Sequence, residues 1–253
     1  MANKQSIISD GSNSDLQCNT LLSSNSVSLP FVTAHDGSKY DAKVTGNEVE
    51  LIMNTQHYET ECNSQSCSLE DLLSEIGLNL SDVPTSNESD VCICWPTFIN
   101  SSVARMKTLI PIVSNERLHA ASAPQNANKF REMCDAIDST GVYLYSICTK
   151  REIKEAAANE KDLVFECRQF PRASGYPEDP ATGIAAGCLA ASLHKRKIIN
   201  ETIDVYQGTA MKRPSKIRVR ISDYLYKTGE PNDLKISYSG LVDFNSLSHS
   251  NLE

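Results

Sequence analysis

The chain has 253 residues, of which 40% are hydrophobic and 22% are charged, and its formal net charge is −8. This length allows one large domain or two smaller ones, and the composition is typical of a soluble globular protein. The negative charge argues against a general nucleic-acid-binding protein, which needs a basic surface. The sequence shows no apolar run with the features of a signal peptide or a membrane span. We therefore expect a cytoplasmic protein without nucleic-acid or membrane partners.

The nine cysteines are an odd number, which favours a reduced, intracellular chain over a disulfide framework. The spacings of Cys62 with Cys67 and of Cys92 with Cys94 do not match those of zinc ribbons or fingers. We therefore expect no metal site. The thiols at 92, 94, 148 and 167 lie in apolar, strand-like runs and are expected in the core.

The first part of the chain predicts a polar tail followed by short strands and one helix. Residues 1–26 are rich in Ser and Asn and contain too few apolar residues for a core, so a disordered tail is expected. Gly46-Asn47 is typical of a hairpin turn. Ser68 is expected to cap a helix that Gly77 ends. The strands are predicted at Val27–Ala34, Lys39–Val44, Glu48–Met53 and Val91–Trp95.

The second part predicts alternating strands and helices after a crossing between domains at Asn100–Ser102. An amphipathic helix is predicted over Pro124–Ile137, and a single helical turn over Asn115–Ala121. The charged, Ala-rich run Lys150–Asp162 is expected to be an exposed excursion. Strands are predicted at Met106–Val113, Val142–Cys148 and Leu163–Phe170.

The run Gly175–Leu193 changes from a tight loop into a helix of small and apolar residues. Either Asp179 caps this helix, with Pro180 at the first helical position, or Thr182 is the cap. In both cases the first-turn amides lack helical partners and lie at the positive end of the helix dipole, which favours a carboxylate or phosphate. Because Ile184–Leu193 carries no charged residue, the helix is expected to be buried all round.

The last part predicts a meander of strands after this helix, at Thr202–Tyr206, Ile217–Ile221, Leu234–Tyr238 and Leu241–Phe244. Arg218 and Arg220 alternate with apolar residues and are expected on the solvent face of their strand. A strand, a loop and an apolar helix followed by a meander indicate an α+β protein whose strands curl around the helix.

The run Arg168–Pro171 followed by Glu178–Ala185 resembles the signature of the phenazine-biosynthesis PhzF-like family. Further similarity lies at Tyr206–Gly208 and Met211–Ser215, and the resemblance extends from about Ser101 to Phe244. It implies a diaminopimelate-epimerase-like fold with two lobes, each of strands wrapped around a central helix.

Under this resemblance the chain divides into four segments. Residues 1–26 form the tail, 27–100 a partial N-terminal lobe, 101–246 the C-terminal lobe with the buried helix 181–193, and 247–253 a second tail. The family's first lobe carries a Gly-Asn-Pro motif, a catalytic Glu and a Gly-His-Pro-Thr segment, none of which is found here. We therefore expect an incomplete first lobe, exposed strand edges and possible homodimerisation.

The resemblance implies a cofactor-free isomerase that removes and returns a proton beside the carboxylate of a small metabolite. Asp179 takes the position of the catalytic cysteine of related epimerases and is the predicted catalytic residue. Ile184 replaces a Ser that is usual in the family, and Cys188 lies inside the helix and is expected in the core. The predicted substrate-binding residues are Gly175, Glu178, Thr182, Gly183 and Ile184.

Two functions remain open on the sequence. One is an isomerase of this family that needs no cofactor. The other is a carboxylate-binding or dimerisation module that keeps the anion site at the helix start but lacks the acid/base residue of the first lobe.

Overall fold

The computed structural model describes residues 26–32, 39–45, 47–62, 64, 66–85, 97–148, 163–223 and 233–241. The predicted tails, the strand at 91–95 and the excursion at 150–162 lie outside this part of the chain. Contacts within the chain divide it into two compact units, residues 1–51 with 241–253 and residues 52–240. The division predicted between residues 100 and 101 falls inside a strand of the second unit.

The first unit contains the predicted N-terminal strands. Strands β1 (Val27–Val32) and β2 (Lys39–Thr45) are antiparallel, with Val27 opposite Val44. Strand β3 (Glu48–Gln56) follows the turn at Asn47 and is hydrogen-bonded to β2. Only its first four residues belong to this unit.

The second unit contains the remaining strands in one mixed sheet. The strands are β4 (Tyr58–Glu61), β5 (Ile99–Ser102), β6 (Met106–Pro111), β7 (Gly141–Ile147), β8 (Leu163–Pro171), β9 (Thr202–Gln207), β10 (Ser215–Asp223) and β11 (Asp233–Leu241). Their order across the sheet, beginning with the second part of β3, is β3-β11-β10-β9-β8-β7-β6-β5-β4. The pairs β6–β7 and β8–β9 are parallel, and β9, β10 and β11 form the predicted antiparallel meander.

Three helices of the second unit cover one face of the sheet. They are α1 (Leu69–Glu75), α2 (Asn115–Ala120) and α3 (Ala127–Ala136). Ser68 caps α1 in a capping box with Asp71, and Gly77 follows with a left-handed φ of 76°. The core under these helices includes Leu72, Leu73, Ile76, Ile110, Leu118, Phe130, Cys134, Val142, Leu144 and Phe170.

The other face of the sheet encloses helix α4 (Gly183–Lys195), two residues further along than predicted. Every residue from Ala185 to Leu193 is buried, as the absence of charged residues predicted. The helix contacts β5 and β6 on one side and β9 and β10 on the other. The sheet therefore curls around α4, the arrangement expected from the sequence.

Two elements of this unit have a different extent from that predicted. Asn100–Ser102, predicted as a crossing between domains, is part of the buried strand β5. Its polar side chains are satisfied internally: Asn100 accepts a hydrogen bond from Thr108 (2.7 Å), and Ser101 donates to the carbonyl of Cys188 (3.1 Å). Strand β11 continues in extended backbone through Gly240 to Leu241, and the rest of the strand predicted at Leu241–Phe244 lies outside the described residues.

The thiols of the described cysteines are mostly enclosed. Burial raises the pKa of Cys62, Cys134 and Cys188 to about 12. Cys167 is fully buried, as predicted, whereas Cys148 is half-buried. No described helix has both the length and the apolar character to cross a membrane.

A buried histidine lies beside the C-terminal half of α4. His57 is 5% exposed, and its Nε2 lies 3.0 Å from Oγ of Ser101, which also accepts a hydrogen bond from Ser192. Burial lowers the pKa of His57 from 6.5 to about 4, against the attraction of Glu59 and with a further lowering by Lys195, Arg196 and His194. The folded protein therefore holds this imidazole neutral.

The lowered pKa of His57 predicts a loss of stability in mild acid. The unfolded chain binds the proton near pH 6.5 and the folded chain only near pH 4. The free energy of unfolding therefore has its full value above pH 6.5 and decreases as the pH falls towards 4. The expected loss is about 3 kcal/mol in the free energy of unfolding. Denaturant titrations of wild type and His57→Gln across this range measure it, and the variant should lack this component. Parallel curves for wild type and His57→Gln would contradict the prediction.

Gly187 lets β11 approach the middle of α4. A Cβ atom at this position would lie 2.2 Å from Oη of Tyr238 and 3.0 Å from its ring. We expect Gly187→Ala to lower the free energy of unfolding by about 1–3 kcal/mol through overpacking, although alanine is the better helix former. Adding Tyr238→Phe should recover part of this loss. A double-mutant cycle by chemical denaturation measures the coupling, and additive effects would show that the two residues do not clash.

Candidate active site

The site is built on the loop between β8 and α4. The loop is tied to the sheet at Asp179, whose N–H donates to the carbonyl of Gln169 at 3.0 Å. One residue earlier, Glu178 pairs with Arg168 of β8 in a bidentate salt bridge, with N–O distances of 2.7 and 2.8 Å. Both side chains are buried. The loop is thus held by a main-chain bond and an ion pair at adjacent residues.

Arg168 also fastens helix α2 to this loop. Its Nη1 donates to the carbonyls of Leu118 (3.2 Å), His119 (3.3 Å) and Ala121 at the end of α2. Carbonyl groups at a helix C-terminus lack helical partners and carry the negative end of the dipole, so a guanidinium is well placed there. Arg168 therefore joins α2, β8 and the loop, and Glu178 balances its charge.

The start of α4 decides between the two predicted caps. Thr182 occupies the N-cap position, and Asp179 lies outside the helix. The Asp179 carboxylate accepts hydrogen bonds from the Ala181 N–H (3.2 Å) and from the Thr182 hydroxyl (2.7 Å). The Thr182 hydroxyl also accepts from Nε2 of Gln207 at 3.1 Å. No side chain caps the first turn of α4, so the dipole end at Gly183 stays open to a ligand.

Asp179 and the start of α4 lie at one cavity of about 400 Å³. Its walls come from the loop, from the starts of β6 and α4, and from the end of β8. The lining residues are Arg105, Lys107, Thr140, Gln169, Pro171, Arg172, Ala173, Ser174, Tyr176, Asp179, Ala181, Thr182, Gly183 and Ile184. A cavity of this size suits a small metabolite.

Two buried polar side chains of the wall lack partners. The Lys107 side chain is 7% exposed and forms no ion pair or hydrogen bond with the described residues. Burial lowers its pKa, and nearby Arg105 lowers it further, whereas Asp179 acts in the opposite direction. Gln169 is 1% exposed, and neither polar atom of its amide has a hydrogen-bond partner. Arg172, in contrast, is paired with Asp135.

The structure brings most of the predicted site residues together. Asp179, Thr182, Gly183 and Ile184 line the cavity, whereas Gly175 and Glu178 do not. Glu178 is instead the partner of Arg168. Ile184 presents an aliphatic side chain to the cavity, so this wall offers no hydroxyl at that position. Cys188 is buried inside α4, as expected.

The cations and the amide of the wall were not predicted. The signal for Lys107 was present in the sequence, since it is the one charged residue in the apolar run Met106–Val113. Gln169 sits in the run that led to the family resemblance, but nothing local shows that its amide is unpaired. Among the described residues, no group of three or more His, Cys, Asp or Glu side chains is arranged to hold a metal ion.

The comparisons with known proteins agree with this architecture. One solved structure with a similar fold is a PhzF-family phenazine biosynthesis protein from Bacillus anthracis, with a TM-score of 0.65 and 19% identity over 89% of this chain and 69% of that one. Another is a predicted epimerase from Pseudomonas aeruginosa, with a TM-score of 0.56 and 19% identity over 90% of this chain and 69% of that one. No curated protein sequence is significantly similar to this chain.

The family follows from the sequence match. Residues 106–240, more than half of the chain, match the family described as phenazine biosynthesis-like protein. The match begins at the first residue of β6, ends within β11 and includes the whole of the loop and α4. The α+β, diaminopimelate-epimerase-like fold predicted from the resemblance agrees with both solved structures. The chain belongs to the phenazine biosynthesis-like (PhzF-like) protein family.

Proposed function

We propose that the chain is an isomerase that moves a proton, without a cofactor, on a small carboxylated metabolite. Asp179 is the proton-transfer group, and the substrate carboxylate lies at the open first turn of α4. The observation that carries the proposal is that the Asp179 carboxylate and the uncapped start of α4 face the same cavity. A proton-transfer group has to lie within hydrogen-bond reach of the proton it removes.

Asp179 is held in place by hydrogen bonds, and its carboxylate still has free acceptor positions. A carboxylate offers about four acceptor positions. Two are used, by the Ala181 amide and the Thr182 hydroxyl. The Gln207 side chain braces the same turn through bonds to the Asp179 carbonyl (2.6 Å) and the Thr182 hydroxyl. The remaining positions are free for a substrate proton, and fixed neighbours limit the reorganisation needed during transfer.

In the proposed step one proton moves from the substrate to Asp179 and back, and no other reactant is needed. The carboxylate takes the proton from the carbon next to the substrate carboxylate, and the electron pair of the broken C–H bond delocalises into that carboxylate. The positive end of the helix dipole at the uncapped first turn of α4 stabilises the charge that develops there. Asp179 then returns the proton to the same carbon or to a conjugated one.

The single acid in the wall favours one outcome over another. Asp179 is the one carboxylic acid among the described lining residues, and no histidine is among them. One group acting alone removes and returns a proton on the same face of the substrate. This favours isomerisation, in which a proton moves along the molecule, over epimerisation, which needs a second group on the opposite face.

The same observation keeps a second function open. A protein of this family without an opposing acid or base could bind a carboxylate at α4 and catalyse nothing. Binding of carboxylates without any proton exchange would favour this binding module. Homodimerisation, expected from exposed strand edges, is a separate proposal that sedimentation tests.

Asp179→Asn should abolish proton transfer and spare the fold. In D2O, wild type should exchange the α-protons of vinylacetate or glutaconate, and vinylacetate should also isomerise to crotonate. The variant should slow exchange by about 10²–10⁴-fold, since an amide cannot accept the proton. Proton NMR measures both rates.

The matched control is Asp41→Asn, which removes a carboxylate from the exposed side of β2 in the other unit. Its exchange rate should equal that of wild type. Equal rates for wild type and Asp179→Asn, with the variant folded by circular dichroism, would sink the assignment of Asp179.

A further inference from the structure

The charge of the cavity is opposite to that of the whole chain. The chain carries a formal net charge of −8. The cavity wall contains three cationic side chains, Arg105, Lys107 and Arg172, and one carboxylate, Asp179. Because Asp135 neutralises Arg172, the wall keeps a formal excess of one positive charge, to which the helix dipole of α4 adds. A ligand with a single carboxylate leaves part of this charge uncompensated.

Lys107 is the cation that most needs a partner. Arg105 is exposed, and Arg172 is paired with Asp135. Lys107 is 7% exposed, and Asp179 does not come within ion-pairing distance of it. A buried charge without a partner is costly, and such residues in proteins are normally paired or hydrogen-bonded. A bound anion at Lys107 removes this cost.

Gln169 lies beside Lys107 on the same face of the sheet. Thr108 pairs with Val142 and Gly141 with Pro171, so Lys107, Gly141 and the β8 residues 169 and 171 face the same side. A Cβ atom at Gly141 would lie 2.5 Å from Nε2 of Gln169, which shows that the Gln169 amide occupies the space above this glycine. Both atoms of that amide are buried without a partner.

We infer that Lys107 and Gln169 form a second acid-binding subsite and that the cavity takes a dicarboxylate. One carboxylate lies at the first turn of α4 and the other at Lys107. Rotation of the Gln169 side chain lets its N–H donate to the same carboxylate. The inference rests on the proposed function only for the position of the first carboxylate, and it concerns binding rather than proton transfer.

The test compares dicarboxylates with monocarboxylates of the same chain length. Succinate, glutarate and adipate are titrated calorimetrically against butyrate, valerate and hexanoate. Wild type should bind the best diacid at least about tenfold more tightly than its matched monoacid, as expected for one additional charge-assisted hydrogen bond. Equal affinities, or no binding of either class, would overturn the inference.

Substitutions then locate the second subsite. Lys107→Met should abolish the preference for the diacid and leave the affinity for the monoacid unchanged, whereas Lys107→Arg should retain the preference. Lys43→Met is the matched control because it removes an exposed lysine from β2 in the other unit. A diacid preference that survives Lys107→Met would overturn the assignment.

Gln169→Met separates a ligand-binding role of Gln169 from a structural one, because the two roles predict opposite changes in melting temperature. The substitution keeps the length of the side chain and removes two unpaired buried polar atoms, so the variant should melt a few degrees higher than wild type. Its affinity for the diacid should fall by severalfold. A lower melting temperature, or an unchanged diacid affinity, would remove Gln169 from the subsite.

These measurements separate the inference from the proposed isomerase. If Asp179→Asn exchanges protons like wild type but the diacid preference depends on Lys107, the catalytic proposal fails and the dicarboxylate site stands. If proton exchange depends on Asp179 but wild type binds mono- and diacids equally, the catalytic proposal stands and the dicarboxylate site fails.

Discussion

The structure depends on covering a helix that has no polar face. The residues of α4 from Ala185 to Leu193 are apolar or small, and leaving them in water would cost the free energy of their whole apolar surface. Strands β5 and β6 on one side and β9 and β10 on the other provide the cover. Strand β11 also approaches the helix closely, since Gly187 leaves no room for a methyl group beside Tyr238. Because both flanks of the sheet must reach the same helix, the sheet has to curl.

Enclosing α4 leaves its N-terminus as the end that a ligand can reach. The loop before it is fixed from the opposite face of the sheet, where Arg168 joins Glu178 to the carbonyls that end α2. Breaking a buried ion pair by removing one partner typically costs about 3–5 kcal/mol. Glu178 therefore acts on the cavity indirectly, by holding Asp179 in register with Gln169. The two faces of the sheet have separate cores, yet this ion pair links one of them to the candidate site.

Much of this arrangement could be predicted from local patterns. The cap at Ser68, the buried helix and the meander follow from short-range signals, and Asp179, Thr182, Gly183 and Ile184 do line the cavity. What local patterns did not indicate depends on contacts between residues distant in sequence. Asn100 and Ser101 resemble a linker until Thr108 and Cys188 are seen to satisfy them. Glu178 resembles a ligand-binding residue until Arg168 is found beside it. Lys107 and Gln169 become notable only because the described part of the folded chain gives their side chains no partner, which no sequence pattern encodes.

The buried thiols bear on how the protein tolerates oxidants. Only the thiolate is an effective nucleophile, and its fraction at neutral pH is negligible for Cys62, Cys134 and Cys188, whose pKa is raised to about 12. The described part of the cavity is lined by an aspartate, and no described lining residue carries a thiol. The proton transfer that we propose for Asp179 needs no reduced sulfur. Peroxide and alkylating reagents, which inactivate thiol-dependent enzymes, would therefore find little to attack at this site.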